Sequence, residues 1–287
     1  MKRTLLCLAM IAAVVSFASA QEARVSFQLT GGLNYAAGGD FARGLNGQTE
    51  YLTNEFGAEG ELSSPIWGFQ FAGEFLYHFN DRFALGLGVG YFEHMKQTQA
   101  TYENWILEID ETVTPKYKVI PLTANLHYSF PWFGSIRLDL YAGAGFYLTS
   151  LDYNYRQDVG VLGFNGSAIY QYNASKGGFG VQGGMNLEWV IDPKFSILLG
   201  VQGRIASVSG FTGEWTEIGT GDIGWDYHDS GTSNQVWYLQ WDSGVQKYGQ
   251  LWFQDDEPEG SDVSEVRPAR LGLSGFTATL GFKIKLF

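Results

Sequence analysis

The sequence predicts an all-β protein in which eight antiparallel, up-and-down strands close into a transmembrane barrel. Three observations predict this fold. Eight segments alternate large apolar residues with small or polar ones. Short and long connections between these segments alternate without exception. No stretch after residue 20 is apolar enough for a membrane-spanning helix, so the strands are the candidates for crossing a bilayer.

The first four segments each carry one apolar face. Successive side chains of a strand point to opposite faces, so each segment offers one face to lipid and one to a narrow lumen. The apolar residues are Val25, Phe27, Leu29, Leu33 and Tyr35, then Trp67, Phe69, Phe71, Phe75 and Tyr77, then Phe83, Leu85, Leu87, Val89 and Tyr91, and finally Ile120, Leu122, Ala124, Leu126, Tyr128 and Phe130.

The next three segments repeat this pattern. Between their apolar residues stand mainly Gly, Gln, Asn and Ser, which suit the cramped interior of a small barrel. The apolar residues are Leu138, Leu140, Ala142, Ala144, Phe146 and Leu148, then Phe179, Val181, Met185, Leu187 and Trp189, and then Phe195, Ile197, Leu199, Val201 and Ile205.

The eighth segment, FTATLGFKIKLF (276–287), has two possible phases. One phase turns Lys283, Lys285 and Phe287 toward lipid. A lysine at the centre of a bilayer costs ~2–4 kcal/mol. We therefore expect the other phase, in which Leu280, Phe282, Ile284 and Leu286 face lipid, both lysines lie in the lumen and Phe287 is a rim residue.

The connections place the long loops at one end of the barrel. Short turns are predicted at 80–82, 131–136 and 192–194, and long loops at about 36–66, 95–116, 150–177 and 209–267. Short periplasmic turns and long extracellular loops are typical of outer-membrane barrels. A lipocalin-like soluble barrel is the alternative, but long loops on one rim and aromatic residues at strand ends favour the membrane barrel.

The first 20 residues have the features of a cleaved secretory signal. Lys2 and Arg3 precede an apolar run that ends in Ala18-Ser19-Ala20, so the barrel is expected to occupy residues 21–287. Cys7, the only cysteine, lies in this segment, which excludes a disulfide from the mature chain. The mature chain holds 16 basic and 30 acidic residues, a net charge of −14, which argues against nucleic acid as a partner.

Four stretches are similar to a known family. They are VIPLTANLHYSF (119–130), RLDLYAGAGFYL (137–148), GFGVQGGMNLEW (178–189) and TLGFKIKLF (279–287). The chain resembles the small outer-membrane β-barrel superfamily of OmpA-type and OmpX-type domains over essentially its whole mature length. The resemblance implies an integral outer-membrane protein that contacts lipid and lipopolysaccharide. It also implies assembly by the barrel-assembly machinery through the C-terminal strand. It implies no particular activity and no cofactor.

Several charged residues are predicted to face the lumen. They are Glu74, Asp139 and Glu188 against Arg204, Lys283 and Lys285, with His127 nearby. Buried charges need partners, and the interior of eight strands is just wide enough for its own side chains. We therefore expect a plugged lumen and a structural or surface-recognition role. The alternative is a narrow porin-like channel.

The segment 209–267 is the candidate ligand- or partner-facing element. Between Ser209 and Val266 it holds twelve acidic residues against Lys247, and VWYLQW (236–241) with KYGQLWF (247–253) predict a β-hairpin. Its tryptophans are candidate contacts for a glycan, which stacks on indoles, or for a cation near the carboxylates. The alternative is that the aromatic residues pack on one another to hold the segment together. These tryptophans are Trp215, Trp225, Trp237, Trp241 and Trp252.

An enzyme is the weaker alternative. Asp226, His228, Asp229 and Ser230 lie within GWDYHDSG (224–231), and a His–Asp couple beside a serine can activate a nucleophile. Such a group at the outer rim would suit a lipid A-modifying enzyme or an omptin-like protease. A histidine beside an aspartate is expected often in an acidic segment, and no second catalytic pair is found. We expect no catalytic activity, no metal site and no cofactor.

Overall fold

The computed structural model describes residues 25–222 and 226–286, without the side chains of residues 233 and 234. The predicted signal segment 1–20, Trp225 and Phe287 therefore lie outside the described residues. Within them the chain forms one antiparallel sheet of fourteen strands and one short helix. The strands are β1 (Val25–Gly39), β2 (Glu59–Glu61), β3 (Trp67–His78), β4 (Phe83–Met95), β5 (Thr98–Glu103), β6 (Leu107–Phe133), β7 (Ile136–Val161), β8 (Phe164–Val190), β9 (Phe195–Ser209), β10 (Thr212–Gly221), β11 (Tyr227–Asp242), β12 (Lys247–Gln254), β13 (Val263–Pro268) and β14 (Arg270–Lys285).

Eight of these strands pair in succession. The order is β1, β3, β4, β6, β7, β8, β9 and β14, and β14 pairs again with β1. The eight segments predicted from the alternating pattern lie in these strands. The predicted all-β antiparallel architecture is confirmed.

The short connections are tight turns built by their own side chains. Asn80 Oδ1 accepts the backbone N–H groups of Arg82 and Phe83, each at 2.9 Å. Asp192 Oδ1 accepts those of Lys194 and Phe195 at 2.7 and 3.0 Å. Side chains of Asn and Asp stabilise turns in this way. The three turns lie at one end of the sheet, here called the turn end; the opposite end is the loop end.

The prediction of eight strands is wrong as a count for the whole sheet. The segments predicted as long loops are largely regular structure: 36–66 contains the helix and β2, 95–116 contains β5 and the start of β6, 150–177 is the outer part of the β7–β8 hairpin, and 209–267 contains β10 to β13. Outside hydrocarbon a strand needs no exposed apolar face, so these parts lack the outward-facing apolar residues that mark the other segments. β11 pairs with β12, which confirms the predicted hairpin.

The two faces of the eight paired strands have opposite polarity. Large apolar side chains stand exposed on the outer face, with Phe69 67% and Phe179 79% exposed. Polar and charged side chains are buried on the inner face, and they include Ser26, Gln28, Asn34, Gln70, Asn125, Ser129, Asn186 and Thr277. A water-soluble domain buries its apolar faces, whereas a barrel in lipid exposes them. The predicted phase of β14 is confirmed, because Lys283 is buried and Leu280 is exposed.

The helix α1 (Asp40–Tyr51) packs against the strands at the loop end. It continues into a π-helical turn at Leu52–Phe56, which ends at Gly57 with a left-handed φ of 75°. Phe41 and Leu45 are buried, and the ring of Phe41 lies edge-on to Phe211 at 6.0 Å. We call α1 and β10 to β13 together the cap. No helix in the described ranges is long and apolar enough to span a membrane.

One ion pair links the two parts of the cap. Asp40 accepts two hydrogen bonds from Arg267, at 2.8 and 3.2 Å, and one from the backbone N–H of Arg270 at 3.1 Å. Asp40 is buried, and it joins the start of α1 to the end of β13. Nearby, a Cβ added to Gly47 would lie 2.0 Å from the backbone oxygen of Gly249, so glycine is required for α1 to approach β12 this closely.

We predict that Asp40→Ala lowers the free energy of unfolding of the cap by about 2–3 kcal/mol, because it leaves Arg267 and a backbone N–H without their acceptor. Urea titration with protease cleavage of the cap as the readout measures this. Asp158→Ala is the control, since the exposed Asp158–Arg156 pair should contribute less than about 1 kcal/mol. Equal effects of the two substitutions would contradict the role given to Asp40.

Candidate functional site in the lumen and the cap

A buried ion pair lies on the inner face of the sheet near the turn end. The Nζ atom of Lys283 on β14 lies 2.6 Å from Oε2 of Glu188 on β8, and both residues are at most 4% exposed. Ser196 on the intervening strand β9 donates to the other carboxylate oxygen of Glu188 at 2.8 Å. Both oxygens of the carboxylate are therefore occupied, as a buried charge requires.

His127 lies between two carboxylates in the middle of the lumen. Its Nδ1 is 2.9 Å from Oδ2 of Asp139, and its Nε2 is 3.3 Å from Oε1 of Glu74. The ring of Tyr141 stacks on the imidazole at 5.2 Å. The two carboxylates accept further hydrogen bonds. Gln28 and Asn125 donate to Glu74, and Ser129 and Asn186 donate to Asp139. Two of the three predicted lumen acids, Glu74 and Asp139, thus form a connected network with His127.

Arg204 is buried in the lumen but does not pair with a carboxylate of the residues that the structure describes, which corrects the predicted charge pairing. Its Nε donates to the carbonyl of Leu273 at 2.8 Å, and its Nη2 donates to Oδ1 of Asn34 at 3.3 Å. Its guanidinium lies 4.3 Å from the centre of the Phe92 ring. It sits on the loop-end side of the acidic residues, where carbonyl, amide and aromatic groups replace a carboxylate.

Lys285 also departs from the predicted pairing with a lumen acid. It is half-buried and makes no ion pair with any residue of the described ranges. It lines a cavity of about 230 Å³ at the turn end together with His78 and Arg137. A lysine at an open rim keeps its charge hydrated, so it needs no carboxylate there.

Little free space remains inside the barrel. The cavity in the middle of the lumen has a volume of about 60 Å³ and is lined by polar side chains, among them Gln28, Thr123, Gln182 and Arg204. On the loop-end side the interior becomes apolar, with Phe92, Tyr117, Tyr147, Phe211 and Leu273 fully buried. The cap packs onto this apolar layer.

A larger pocket of about 420 Å³ lies within the loop-end assembly, between α1, β7, β8, β10 and β12. Tyr153, Tyr155, Tyr170, Trp252 and Phe253 supply its rings, and we call it the aromatic pocket. Gln48, Gln250, Gln254 and Glu217 add polar groups, and several aliphatic residues complete the lining. The residues that line it include no Lys, Arg or His.

A buried carboxylate lies beside the aromatic pocket. Glu111 on β6 is 4% exposed and accepts hydrogen bonds from Gln48 at 3.4 Å and Gln157 at 3.3 Å. Burial raises the pKa of Glu111, and hydrogen bonds from Gln48, Tyr155 and Gln157 oppose this only in part. A buried carboxylate without a cation partner makes the electrostatic potential around the pocket negative.

Most residues of this pocket were not predicted from the sequence. Tyr153, Tyr155 and Tyr170 lie in segments predicted as loops, although the alternation in SLDYNY (150–155) and YQY (170–172) was a strand signal. Alternate tyrosines place their rings on one face of a strand. Gln48 and Glu111 come from other parts of the chain, and no local pattern connects them to these rings.

The candidate tryptophans are mostly used to pack the cap. Trp237 is 8% exposed and donates to the carbonyl of Gln254 at 3.0 Å. Trp241 donates to Asp262 at 3.0 Å, and Trp215 stacks on Tyr170 at 6.1 Å. Of the described four, Trp252 is the one that lines the aromatic pocket.

The residues of the enzyme alternative are not brought together. Asp226, His228, Asp229 and Ser230 are exposed. Asp229 accepts the backbone N–H of Ser230 at 2.8 Å, and His228 lies opposite Ile218 in the β10–β11 register. Within residues 226–286 no hydrogen bond joins His228 to either aspartate or to the serine.

The acidic residues at the outermost tips of the loop end are engaged with neighbouring groups. Asp110 accepts from Thr101 and Gln99, Asp158 pairs with Arg156, and Asp222 accepts from the backbone of Asn165. In the part of the chain that the structure describes, no three His, Cys, Asp or Glu residues are grouped so that they could hold a metal ion.

Comparison with known proteins identifies one family. The model of the outer membrane protein beta-barrel domain matches residues 4–221. Two similar solved structures are a major outer membrane protein from Thermus thermophilus and the outer membrane protein OprG from Pseudomonas aeruginosa. The first is 13% identical with a TM-score of 0.38, and the alignment covers 91% of this chain and 99% of that one. The second is 11% identical with a TM-score of 0.33, with coverage of 92% and 97%. No curated protein matches this chain.

We predict that Lys283→Ala lowers the free energy of unfolding by about 3–5 kcal/mol, because it leaves the carboxylate of Glu188 buried without a cation. Urea titration of the protein refolded in lipid vesicles measures the loss. Lys285→Ala is the matched control two positions along the same strand face, and it should change stability by less than about 1 kcal/mol. A similar loss in both variants would show that the ion pair is not the cause.

We predict that the free energy of unfolding of the cap falls as pH rises, because Glu111 loses its proton. Its folded pKa is raised, so the folded state binds more protons than the unfolded state between the two pKa values. The stability it contributes is therefore present below its unfolded pKa of about 4.3 and is lost as pH rises through the folded pKa. Unfolding of wild type, Glu111→Gln and the exposed control Glu103→Gln between pH 4 and 7 tests this. Glu111→Gln should reduce the slope and Glu103→Gln should not; an unchanged slope in Glu111→Gln would contradict the assignment.

Proposed function

This chain belongs to the outer membrane protein β-barrel domain family, and we propose that it is a non-conducting integral barrel whose cap serves recognition at the cell surface. In this proposal the eight successively paired strands form the closed transmembrane barrel. The turns then face the periplasm and the cap faces the outside. We also propose that the protein has no catalytic role.

The buried, hydrogen-bonded charged residues of the inner face are the observation that supports the non-conducting role. The Glu188–Lys283 pair and the connected Glu74–His127–Asp139 group occupy successive levels of the barrel. The cavity between them and Arg204 has a volume of only about 60 Å³, which supports a lumen without a continuous water path. The apolar layer beneath the cap adds a second barrier.

The exposed aromatic residues support the proposed orientation in the membrane. At the turn end, exposed rings surround the barrel where it would meet the inner lipid–water interface. They are Tyr77, Phe79, Phe83, Trp132, Phe133 and Trp189. The hairpin of β7 and β8 extends well past the apolar belt at the other end, which suits projection from the cell surface. The belt and rim would contact outer-membrane lipid and lipopolysaccharide.

The paired ends of the chain support assembly through the last strand. β14 pairs with both β9 and β1, so adding β14 gives each of the eight strands a partner on both sides. We propose that the barrel-assembly machinery engages this strand. The cap supports a recognition role because it shares one buried core with the loop end of the paired strands and presents an open aromatic pocket.

We predict that the purified protein produces no stable conductance in planar lipid bilayers, because side chains fill the lumen. A general porin prepared in the same detergent is the positive control. Steady openings of nanosiemens size in the wild-type protein would contradict the closed lumen.

An epitope inserted between Gly244 and Val245 at the β11–β12 turn should be detected on intact cells, since Val245 is 81% exposed. The same epitope after Gly134, in the β6–β7 turn, is the matched control and should be detected only in permeabilised cells. The reverse pattern would overturn the proposed orientation.

A further inference from the structure

We propose that the aromatic pocket binds an organic ammonium ion, with a quaternary nitrogen carrying apolar substituents as the preferred form. This rests on the proposed exposure of the cap at the cell surface. Three features of the pocket lead to this ligand class: clustered ring faces, unbalanced negative charge and polar donors that are already engaged.

The rings form a continuous aromatic wall. The centre of the Phe253 ring lies 4.8 Å from that of Tyr153 and 5.4 Å from that of Tyr170, and it also contacts Tyr172 at 5.1 Å. Tyr155 and Trp252 extend the lining. A cation within about 6 Å of such ring centres is attracted by their negative faces, most strongly where water is excluded.

The charge around the pocket has one sign. Glu217 lines it and accepts a hydrogen bond from Tyr227 at 2.6 Å. Glu111 lies behind Gln48 and Tyr155, with amide and phenol groups as its partners. The residues that line the pocket include no Lys, Arg or His to balance these carboxylates. An anionic ligand would be repelled here, whereas a cation would supply the missing countercharge.

The pocket has few free donors for a neutral sugar. The indole N–H of Trp252 donates to Oε1 of Gln250 at 3.1 Å, and the amide of Gln254 donates to the carbonyl of Asp256 at 2.9 Å. The amide of Gln48 donates to Glu111. Specific binding of a glycan needs polar groups directed at its hydroxyls, and these groups already serve protein acceptors. The ring faces and the negative potential remain for a ligand.

The volume of the pocket also suits this ligand class. About 420 Å³ lies within the range of small-molecule sites and exceeds the needs of a bare inorganic cation. Aliphatic side chains such as Leu45 and Leu251 line one part, and they match apolar substituents on the nitrogen.

The test uses the mature chain refolded in a polyoxyethylene detergent, which carries no ammonium group. Choline is titrated into the protein by calorimetry and compared with 3,3-dimethylbutanol, its neutral isostere, in which carbon replaces nitrogen. We expect the isostere to bind about tenfold more weakly or worse, since it lacks the cation–π and carboxylate interactions. Equal binding of the two probes, or no binding of choline, would overturn the proposal.

Variants locate the site. Trp252→Leu and Glu217→Gln should each weaken choline binding about fivefold or more. Trp105→Leu is the matched control, because Trp105 is 87% exposed on the β5–β6 turn and does not line the pocket. Equal losses in Trp252→Leu and Trp105→Leu, or binding of a neutral oligosaccharide in preference to choline, would count against the ammonium site. The conductance and epitope experiments are independent of this result, so they separate a failure of the ligand from a failure of the proposed function.

Discussion

Hydrocarbon offers no hydrogen-bond partner to a backbone amide, and the rest of this structure depends on that constraint. Each strand in lipid must pair along both edges, which the succession from β1 through β14 and back to β1 achieves. Successive side chains of a strand point to opposite faces. One face of every strand is therefore apolar and exposed, and the other is enclosed with little access to water. The lumen is narrow because the paired strands are few.

The enclosed face divides into two layers with different chemistry. Near the turn end, acids and bases occupy the interior in hydrogen-bonded groups, because an isolated charge there would be strongly unfavourable. Near the loop end, aromatic and aliphatic residues form a core like that of a soluble domain, and the cap completes it. Arg204 lies at the junction, where its guanidinium uses carbonyl and amide acceptors on one side and the rings of Phe92 and Tyr147 on the other.

The sequence predicted what local pattern controls. The eight apolar faces, the turns at Asn80 and Asp192 and the inward phase of Lys283 all follow from spacing along the chain. The sequence did not predict contacts between distant segments. Asp40 meets Arg267 across 227 positions, and the aromatic pocket collects residues from α1, β7, β8 and β12. The outer parts of β6 to β8 were missed although residues such as Tyr117 and Tyr153 alternate with polar ones, because the apolar face points inward there and the polar face outward, the reverse of a strand in lipid. Arg204 was expected beside an acid because pattern alone gives the face of a residue and not its depth.

The strands β10 to β13 of the cap lie between β9 and β14 in the chain, and this position affects how β9 and β14 come to pair. The segment between β9 and β14 separates two strands that pair directly, with Arg270 opposite Ser209. Val236, fully buried in β11, donates to the carbonyl of Phe211 and accepts from the N–H of Ala269, so it holds the two ends of this segment together. Closing a flexible chain of that length costs on the order of 4 kcal/mol in entropy. Once the segment between β9 and β14 has folded, its two ends are already adjacent. β14 then meets β9 as if a short turn joined the two strands. A folded segment between β9 and β14 therefore reduces the entropy cost of pairing these two strands.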